Sequence, residues 1–455
     1  MKLTRIGTLT LALACSISLA ASGARAAEAV PGSASTVIVQ GSTLEDFFTA
    51  ALDYSPALRI AEERWQVGTQ RRKAATGQLL PQLNANASRS DNTQESLGTV
   101  ANYPGERSSL QLTQVLFNWQ AFNARKQAAI LEDLAEAEYY ATLAGLLTDV
   151  AEKYFNVLQA QDALRSAVAE VDAVARQAAM VARLHELQQV QITDLYDAQA
   201  RLAFAQSQQL DMESQLTLVR EELRALAGVG VGELYQLDPN QELAAPQGSL
   251  ESWLNLASQS NPQVRAREFA VDAADKAIAQ RQGAYMPRVT LIAQKQISDL
   301  GYDNFRNPRT ETDYIGVDVQ IPLFAGGSNR AQVAEARSLH SIAENELRQT
   351  TLQIVESTRM AYLQVQSAAL RVQAAERLAE STALSYTARQ RGFELGTVTS
   401  VDVLNALRDR FSAERDLQRA RYDHIRYSLV LKREAGSLSA EDLLDVGTWL
   451  VEPQP

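Results

Sequence analysis

Residues 44–81 recur, without a gap, as residues 250–287. Leu44 matches Leu250, Phe47 matches Trp253, Ser55-Pro56 matches Asn261-Pro262, and Gly77 and Pro81 match Gly283 and Pro287. The offset of 206 grows to 207 at Leu116-Phe117 against Leu323-Phe324, and to 208 at Asp194-Leu195 against Asp402-Val403 and at Ala227-Gly228 against Ala435-Gly436. A slip of two residues over that length leaves no room for an extra element in either half. The period is far too long for a solenoid unit, so the chain reads as two copies of one supersecondary unit. Repeat 1 is expected over 43–228, a Gly/Pro-marked linker over 229–249, repeat 2 over 250–436 and a tail over 437–455.

Each half changes its hydrophobic period in the same order. Residues 44–80 are helical, with Ser55 placed as an N-cap and Pro56 in the first turn. Alternating runs follow at about 82–90 and 108–117, and again at about 288–297 and 313–322. In the last of these Ile315, Val317, Val319 and Ile321 alternate with Tyr314, Gly316, Asp318 and Gln320. The stretches between the paired runs are polar and read as loops. A very long helical region then follows in each half. Ala160, Leu164, Ala167, Val171, Val174, Ala178 and Val181 keep coiled-coil spacing, as do Ala361, Val365, Ala368, Val372, Ala375 and Ala379. Each region breaks once, near Gln188–Gln191 and near Leu395-Gly396-Thr397, and so folds into a hairpin with an outgoing limb of roughly 105 Å. Heptads alone are equally compatible with a helical bundle that has no channel.

The first 26 residues read as a secretory leader: Lys2 and Arg5, an apolar run, then Ala24-Arg25-Ala26 as a cleavage site. A membrane helix and lipidation at Cys15 are the alternatives. Loss of the leader removes three basic residues and no acid, taking the net charge from −11 to −14, and removes the one cysteine. That acidity argues against a nucleic-acid partner. Without cysteine, and with only His185, His340 and His424, no thiolate or histidine metal centre is expected. Gly228-Val229-Gly230-Val231-Gly232 follows a helix and lacks the Lys-Ser/Thr ending, so it is a helix stop rather than a phosphate loop. With no catalytic constellation either, the chain is expected to be neither an enzyme nor a cofactor binder.

The alternating runs have the length that crosses a bilayer at a tilt, and Tyr103, Phe117, Trp119, Tyr285, Tyr314 and Phe324 near their ends suggest an interfacial girdle. Four strands cannot close a barrel, and an open edge is not tolerated in lipid. If the strands span a membrane, several chains must share one barrel, and three chains give twelve strands. A soluble sheet capping a helical bundle is the other reading.

Several segments resemble the TolC-type outer-membrane efflux proteins. They are Leu79-Leu80-Pro81-Gln82-Leu83, Ala151-Glu152-Lys153-Tyr154-Phe155-Asn156-Val157-Leu158, Ile321-Pro322-Leu323-Phe324-Ala325-Gly326-Gly327, and Gly396-Thr397-Val398-Thr399-Ser400-Val401-Asp402-Val403-Leu404-Asn405-Ala406. Their order within the duplicated frame carries the resemblance, which covers essentially the whole mature chain. It implies a mainly α fold with a small transmembrane β part: a homotrimer with a twelve-stranded barrel in outer-membrane lipid, continuous with a twelve-helix coiled-coil tunnel in the periplasm. It further implies a passive exit duct for tripartite efflux or type I secretion. Its partners would be a periplasmic adaptor and an inner-membrane pump of RND, ABC or MFS type. A periplasmic adaptor or scaffold is the competing function, although an adaptor would usually carry one hairpin and a lipoyl-like domain.

Carried onto this chain, the resemblance puts a periplasmic gate at Asp194, Phe393, Val398, Asp402 and Asn405. Phe393, Val398 and Asn405 depart from the family's hydroxylated aromatic, arginine and aspartate, so two links are expected to be missing and Asp402 is expected to lack its arginine at that place. Asp194 and Asp402 would form an acidic ring by symmetry. Thr399 to Asp402 also has capping-box spacing, so Asp402 can equally serve to start its helix. Adaptor docking is expected at the hairpin tips, through Leu184, Gln188, Arg389, Leu395, Gly396 and Thr397.

Overall fold

The computed structural model describes residues 43–96, 98–239, 241–300 and 306–452, so the leader expected over 1–26, with Cys15, lies outside the described residues. The chain runs α1 (Leu44–Tyr54), α2 (Pro56–Gly77), β1 (Gln82–Ser96), β2 (Thr99–Phe117), α3 (Trp119–Glu186) and α4 (Ile192–Ala227). After β3 (Gln236–Leu237) the same element types return as α5 (Leu250–Ser260), α6 (Pro262–Gln282), β4 (Arg288–Leu300), β5 (Arg306–Gln320), α7 (Ser328–Glu394) and α8 (Ser400–Glu434). The short α9 (Ala440–Gly447) and β6 (Leu450–Val451) complete it.

Local chemistry sets the helix starts. The Ser55 hydroxyl accepts from the Leu58 N–H at 3.4 Å, and Asn261 Oδ1 accepts from Gln263 N–H at 2.8 Å, each just before a first-turn proline. Asn118, the one residue between β2 and α3, caps the latter by accepting from Ala121 N–H at 3.2 Å.

The four long strands form one antiparallel sheet in the order β1-β2-β4-β5, with β1 and β5 at its edges. All are longer than the alternating runs. β1 reaches Ser96 and β2 starts at Thr99, so the polar stretch expected as a loop is mostly ladder; β4 and β5 likewise extend to Leu300 and back to Arg306. Backbone pairing continues after the apolar alternation stops, because it does not depend on side-chain polarity.

The register sorts the side chains by chemistry. Leu83, Ala85 and Ala87 share one face with Leu110 and Leu112, Leu291 and Ala293, and Ile315, Val317 and Val319. This face is open, with Leu83 63% and Ile315 81% exposed. Ion pairs end it at one side: Arg89–Glu106 at 3.4 Å and Lys295–Asp313 at 3.8 Å. The opposite face carries Asn84, Asn86, Gln111, Ser109, Gln294, Gln296, Tyr314 and Thr312. Tyr314 and Tyr103 therefore lie on the polar face, Tyr103 buried, and neither belongs to an apolar girdle. Their position in the alternation overrides their nearness to a strand end.

α3 and α7, of 68 and 67 residues, are each roughly 100 Å long. Towards the sheet α3 lies beside α2 and α6, and towards the hairpin turns beside α4 and α8; α7 packs first on α6 and then on α8. The coiled-coil seam faces inward: Ala160, Ala167, Val174, Ala178 and Val181 are buried, as are Ala361, Val365, Ala368, Val372 and Ala375. α8 is tied to α3 by Tyr422, whose hydroxyl donates to Asp162 at 2.6 Å, by Arg415–Glu170 at 2.8 Å, and by Arg426 to Asn156.

The principal core lies where the short helices meet end to end. Phe47, Tyr154, Phe155 and Tyr422 stack edge-on or tilted with centroids 5.7–6.0 Å apart. Each such pair contributes about 0.5–1.5 kcal/mol beyond its buried area. The linker and tail are built into this core. β3 pairs with β6, Tyr154 donates to the Tyr235 carbonyl at 3.1 Å, and buried Arg421 donates to the Asp238 carbonyl at 2.7 Å. His424 is buried too, and its Nε2–H donates to the Ala244 carbonyl at 3.0 Å.

Two substitutions test this junction. Gly228 and Gly436 both stop helices at φ near +70°. A Cβ at Gly436 would meet the backbone of Ser260 and Asn261 at 2.5–2.6 Å, whereas at Gly228 it would meet the movable Tyr54 ring at 2.6 Å. Gly436→Ala is expected to cost about 2–4 kcal/mol from the positive φ and the overlap together, and Gly228→Ala about 1–2 kcal/mol, in denaturant midpoints of the purified protein.

A second prediction concerns pH. Burial lowers the pKa of His424 below its ordinary value. The unfolded chain therefore takes up the proton first, and stability present above about pH 6.5 is lost as the pH falls below it. In paired melts at pH 7.5 and 5.5, His424→Gln should remove part of the acid-induced drop; an unchanged drop would show that His424 does not contribute to it.

Candidate functional site

The two hairpin turns lie at the ends of α3 and α7 furthest from the strands. They are built alike. Gln188 N–H donates to the His185 carbonyl at 2.8 Å and Gln189 N–H to the Leu184 carbonyl at 2.9 Å. In the second turn Gly396 N–H donates to Phe393 at 2.9 Å and Thr397 N–H to Gly392 at 2.8 Å. This bond pair closes a helix through one left-handed residue. Gly396 takes that conformation at φ 73° without strain, while Gln188 takes it at φ 54° with a side chain. The His185 ring contacts the Val190 carbonyl at 3.3 Å across the first turn, and the Thr397 hydroxyl donates to the Gly392 carbonyl at 3.0 Å in the second.

The return helices start on carboxylates. Asp194 accepts from the Gln191 N–H at 3.3 Å. Asp402 accepts from the Thr399 hydroxyl at 2.6 Å and from its N–H at 3.3 Å, and the Asp402 N–H donates back to the Thr399 hydroxyl at 3.2 Å. The capping role open to Asp402 is thus present. These Thr399 bonds, with help from the Arg389 charge, hold the exposed Asp402 carboxyl below its ordinary pKa. Arg389 also reaches the Asp402 carbonyl at 3.4 Å. Arg389, on α7 one turn before Phe393, thus reaches the Asp402 main chain, and among the described residues no ion pair joins it to the Asp402 carboxylate. Phe393 and Val398 are half-buried, and Val398 packs on Gly392, where a Cβ would stand 2.6 Å from it.

Asn405 is not idle either. Its Oδ1 accepts from Arg201 of α4 at 3.1 Å, so a polar bond joins the two hairpins. Arg201 was not foreseen, although it lies seven residues after Asp194, two turns along the same helix face. Below that bond the hairpins share an apolar cluster of Val181, Ala198, Leu404, Leu407 and Phe411. No hydrogen bond or ion pair joins Asp194 to Asp402 among the described residues. At the extreme tips Leu187 and Leu395 are 62% and 80% exposed.

The arrangement holds the two hairpins together through one polar bond and an apolar cluster. Among the described residues no group of histidine, cysteine, aspartate and glutamate side chains is placed to hold a metal ion.

The sequence profile described as "Outer membrane efflux protein" matches residues 48–229 and 253–437. The chain is 28% identical over 420 residues to Outer membrane protein TolC of Vibrio cholerae, covering 90% of this chain and 94% of that protein. It is also 28% identical over 418 residues to the alkaline protease secretion protein AprF of Pseudomonas aeruginosa, covering 88% and 85%. Among solved structures, CusC superposes with a TM-score of 0.77 at 20% identity, covering 88% of this chain and 93% of that one. With both halves matched by the family's profile, and with relatives aligned over most of its length, the chain belongs to the outer membrane efflux protein family.

Proposed function

We propose that three copies of this chain form one duct, a twelve-stranded barrel in the outer membrane continuous with a twelve-helix tunnel in the periplasm. The observation that carries this reading is the two-faced sheet. Its apolar side is open, the opposite side is mostly polar although it also carries Val115 and Ile292, and β1 and β5 are edges with no strand beside them among the described residues. Lipid covers such a face, and only closure satisfies such edges. Exposed apolar residues on the outer helices, among them Tyr196, Phe204 and Leu210 on α4 and Leu363, Leu370 and Leu384 on α7, suit a seam with a neighbouring copy.

The duct is the outer-membrane member of a tripartite efflux or type I secretion system and conducts cargo passively. An adaptor docks on the hairpin tips, where Leu395 stands beside Gly396, Thr397 and Arg389, and Leu184 and Gln188 form the first turn. The adaptor in turn joins an inner-membrane pump. The duplicated frame explains how one chain supplies two hairpins to the tunnel. The gate closes through Arg201–Asn405, and Asp194 and Asp402 form an acidic ring around the axis that favours cations.

Fractionation tests the assembly. The mature chain should be recovered from outer membranes and cross-link as a trimer; recovery as a soluble monomer would overturn the reading. Planar-bilayer recording tests the gate. Arg201→Ala and Asn405→Ala should each raise resting conductance several-fold, and the double variant should add little more, because both remove one bond. Asp402→Asn should weaken cation selectivity and divalent block; if both are unchanged, there is no acidic ring.

A further inference from the structure

One row across the sheet differs from its neighbours in chemistry. Asn84 of β1 pairs with Gln111 of β2, Gln111 with Gln294 of β4, and Gln294 with Tyr314 of β5. All four side chains point to the polar face. The row thus presents three amides and one phenol side by side, at the interstrand spacing of about 4.8 Å. The next row, Asn86, Ser109, Gln296 and Thr312, is also uncharged. The nearest charged residues on this face, Arg107 and Asp318, sit two rows away in opposite directions.

Tyr314 is held in a definite pose. Its phenol end lies against Gly316, two residues along the same strand face, so closely that a Cβ there would collide with it. The ring is 49% exposed, so it lies along the strand with surface left open. The amides are only partly engaged: Gln111 Nε2 donates to Thr113 at 3.3 Å and Gln294 Nε2 to Gln296 at 3.1 Å. A second N–H and the carbonyl oxygen of each remain for a ligand.

We infer that the row Asn84, Gln111, Gln294 and Tyr314, repeated around the proposed barrel, forms a lumenal binding ring for a neutral oligosaccharide chain. Amides offer paired donors and acceptors to hydroxyl groups, and an open aromatic face receives the C–H face of a sugar ring. No charge in the row or in the rows directly beside it on this face competes for or repels such a ligand. An extended polypeptide could also hydrogen-bond to the amides, but nothing in it calls for a fixed aromatic platform among uncharged neighbours. The inference rests on the barrel reading, since that reading makes the polar face the lumen.

The test is current block in planar bilayers holding the full-length trimer, with maltohexaose added from the strand side. Polyethylene glycol of equal hydrodynamic radius serves as the steric control, and an uncharged Gly-Ser peptide as the polypeptide probe. The inference expects maltohexaose to interrupt the current with residence times at least tenfold longer than those of the glycol. Tyr314→Ala should abolish the difference, while Tyr314→Phe, which keeps the ring, should preserve it to within about twofold. Equal block by maltohexaose and glycol, or an unchanged Tyr314→Ala, overturns the inference while leaving the conducting barrel intact. Block by the peptide alone overturns it in favour of a polypeptide ring. Absence of any inserted pore overturns both the barrel and the ring.

Discussion

The backbone edges of the sheet are the constraint on which the rest depends. β1 and β5, of 15 residues each, have outward N–H and C=O groups with no strand beside them among the described residues. In water such an edge is a hazard for aggregation; in hydrocarbon each unmet group costs several kcal/mol. The apolar side chains on the same sheet point it towards hydrocarbon. The proposed closure around an axis with other copies would meet both demands at once. Around such an axis residues near the tips would recur, and one carboxylate per chain would become a ring.

The edge demand reaches the hairpin turns because little in the chain can absorb movement. In the first half a single residue, Asn118, separates β2 from α3, and its side chain caps the helix. In the second half seven residues, 321–327, separate β5 from α7, ending in Gly326 and Gly327, both at positive φ. The halves therefore differ in how tightly strand and helix are joined. α3 is also held by α8 through Tyr422–Asp162 and Arg415–Glu170, whereas α7 packs on α8, α6 and α5. A motion of α8 away from α3 must break both of those bonds.

Much of the fold was legible in the sequence, for physical reasons that can be named. Most of the heptad seam is buried as read, with Leu164, Val171 and Ala379 only partly covered, because coiled-coil spacing turns these positions towards the neighbouring helix. The turns near Gln188 and Gly396 fall where the apolar period stops. The strand extents were underestimated, since polar ladder such as Asn92-Thr93-Gln94 leaves no periodic signal. Tyr103 and Tyr314 were read by their nearness to strand ends, whereas their place in the alternation decides their face. The departures at Phe393, Val398 and Asn405 were visible, but their consequence was not. Arg201 and Arg389 act from other helices, and only tertiary packing shows that they reach Asn405 and Asp402.

The chemistry of the Arg201–Asn405 link has a consequence for the gate. An arginine bonded to a carboxylate would form a stronger, charge-assisted pair on both sides, lost only when acid protonates the carboxylate. With asparagine as acceptor the bond is weaker, since an amide oxygen carries no net charge, and the link holds no carboxylate for acid to protonate. Asp402, the nearby acid, is kept ionised by Thr399 and Arg389, so it too resists protonation. In the proposed gate, a partner pressing on the exposed apolar tips at Leu187 and Leu395 would part the hairpins by breaking this bond and separating the cluster of Val181, Ala198 and Leu404 behind it.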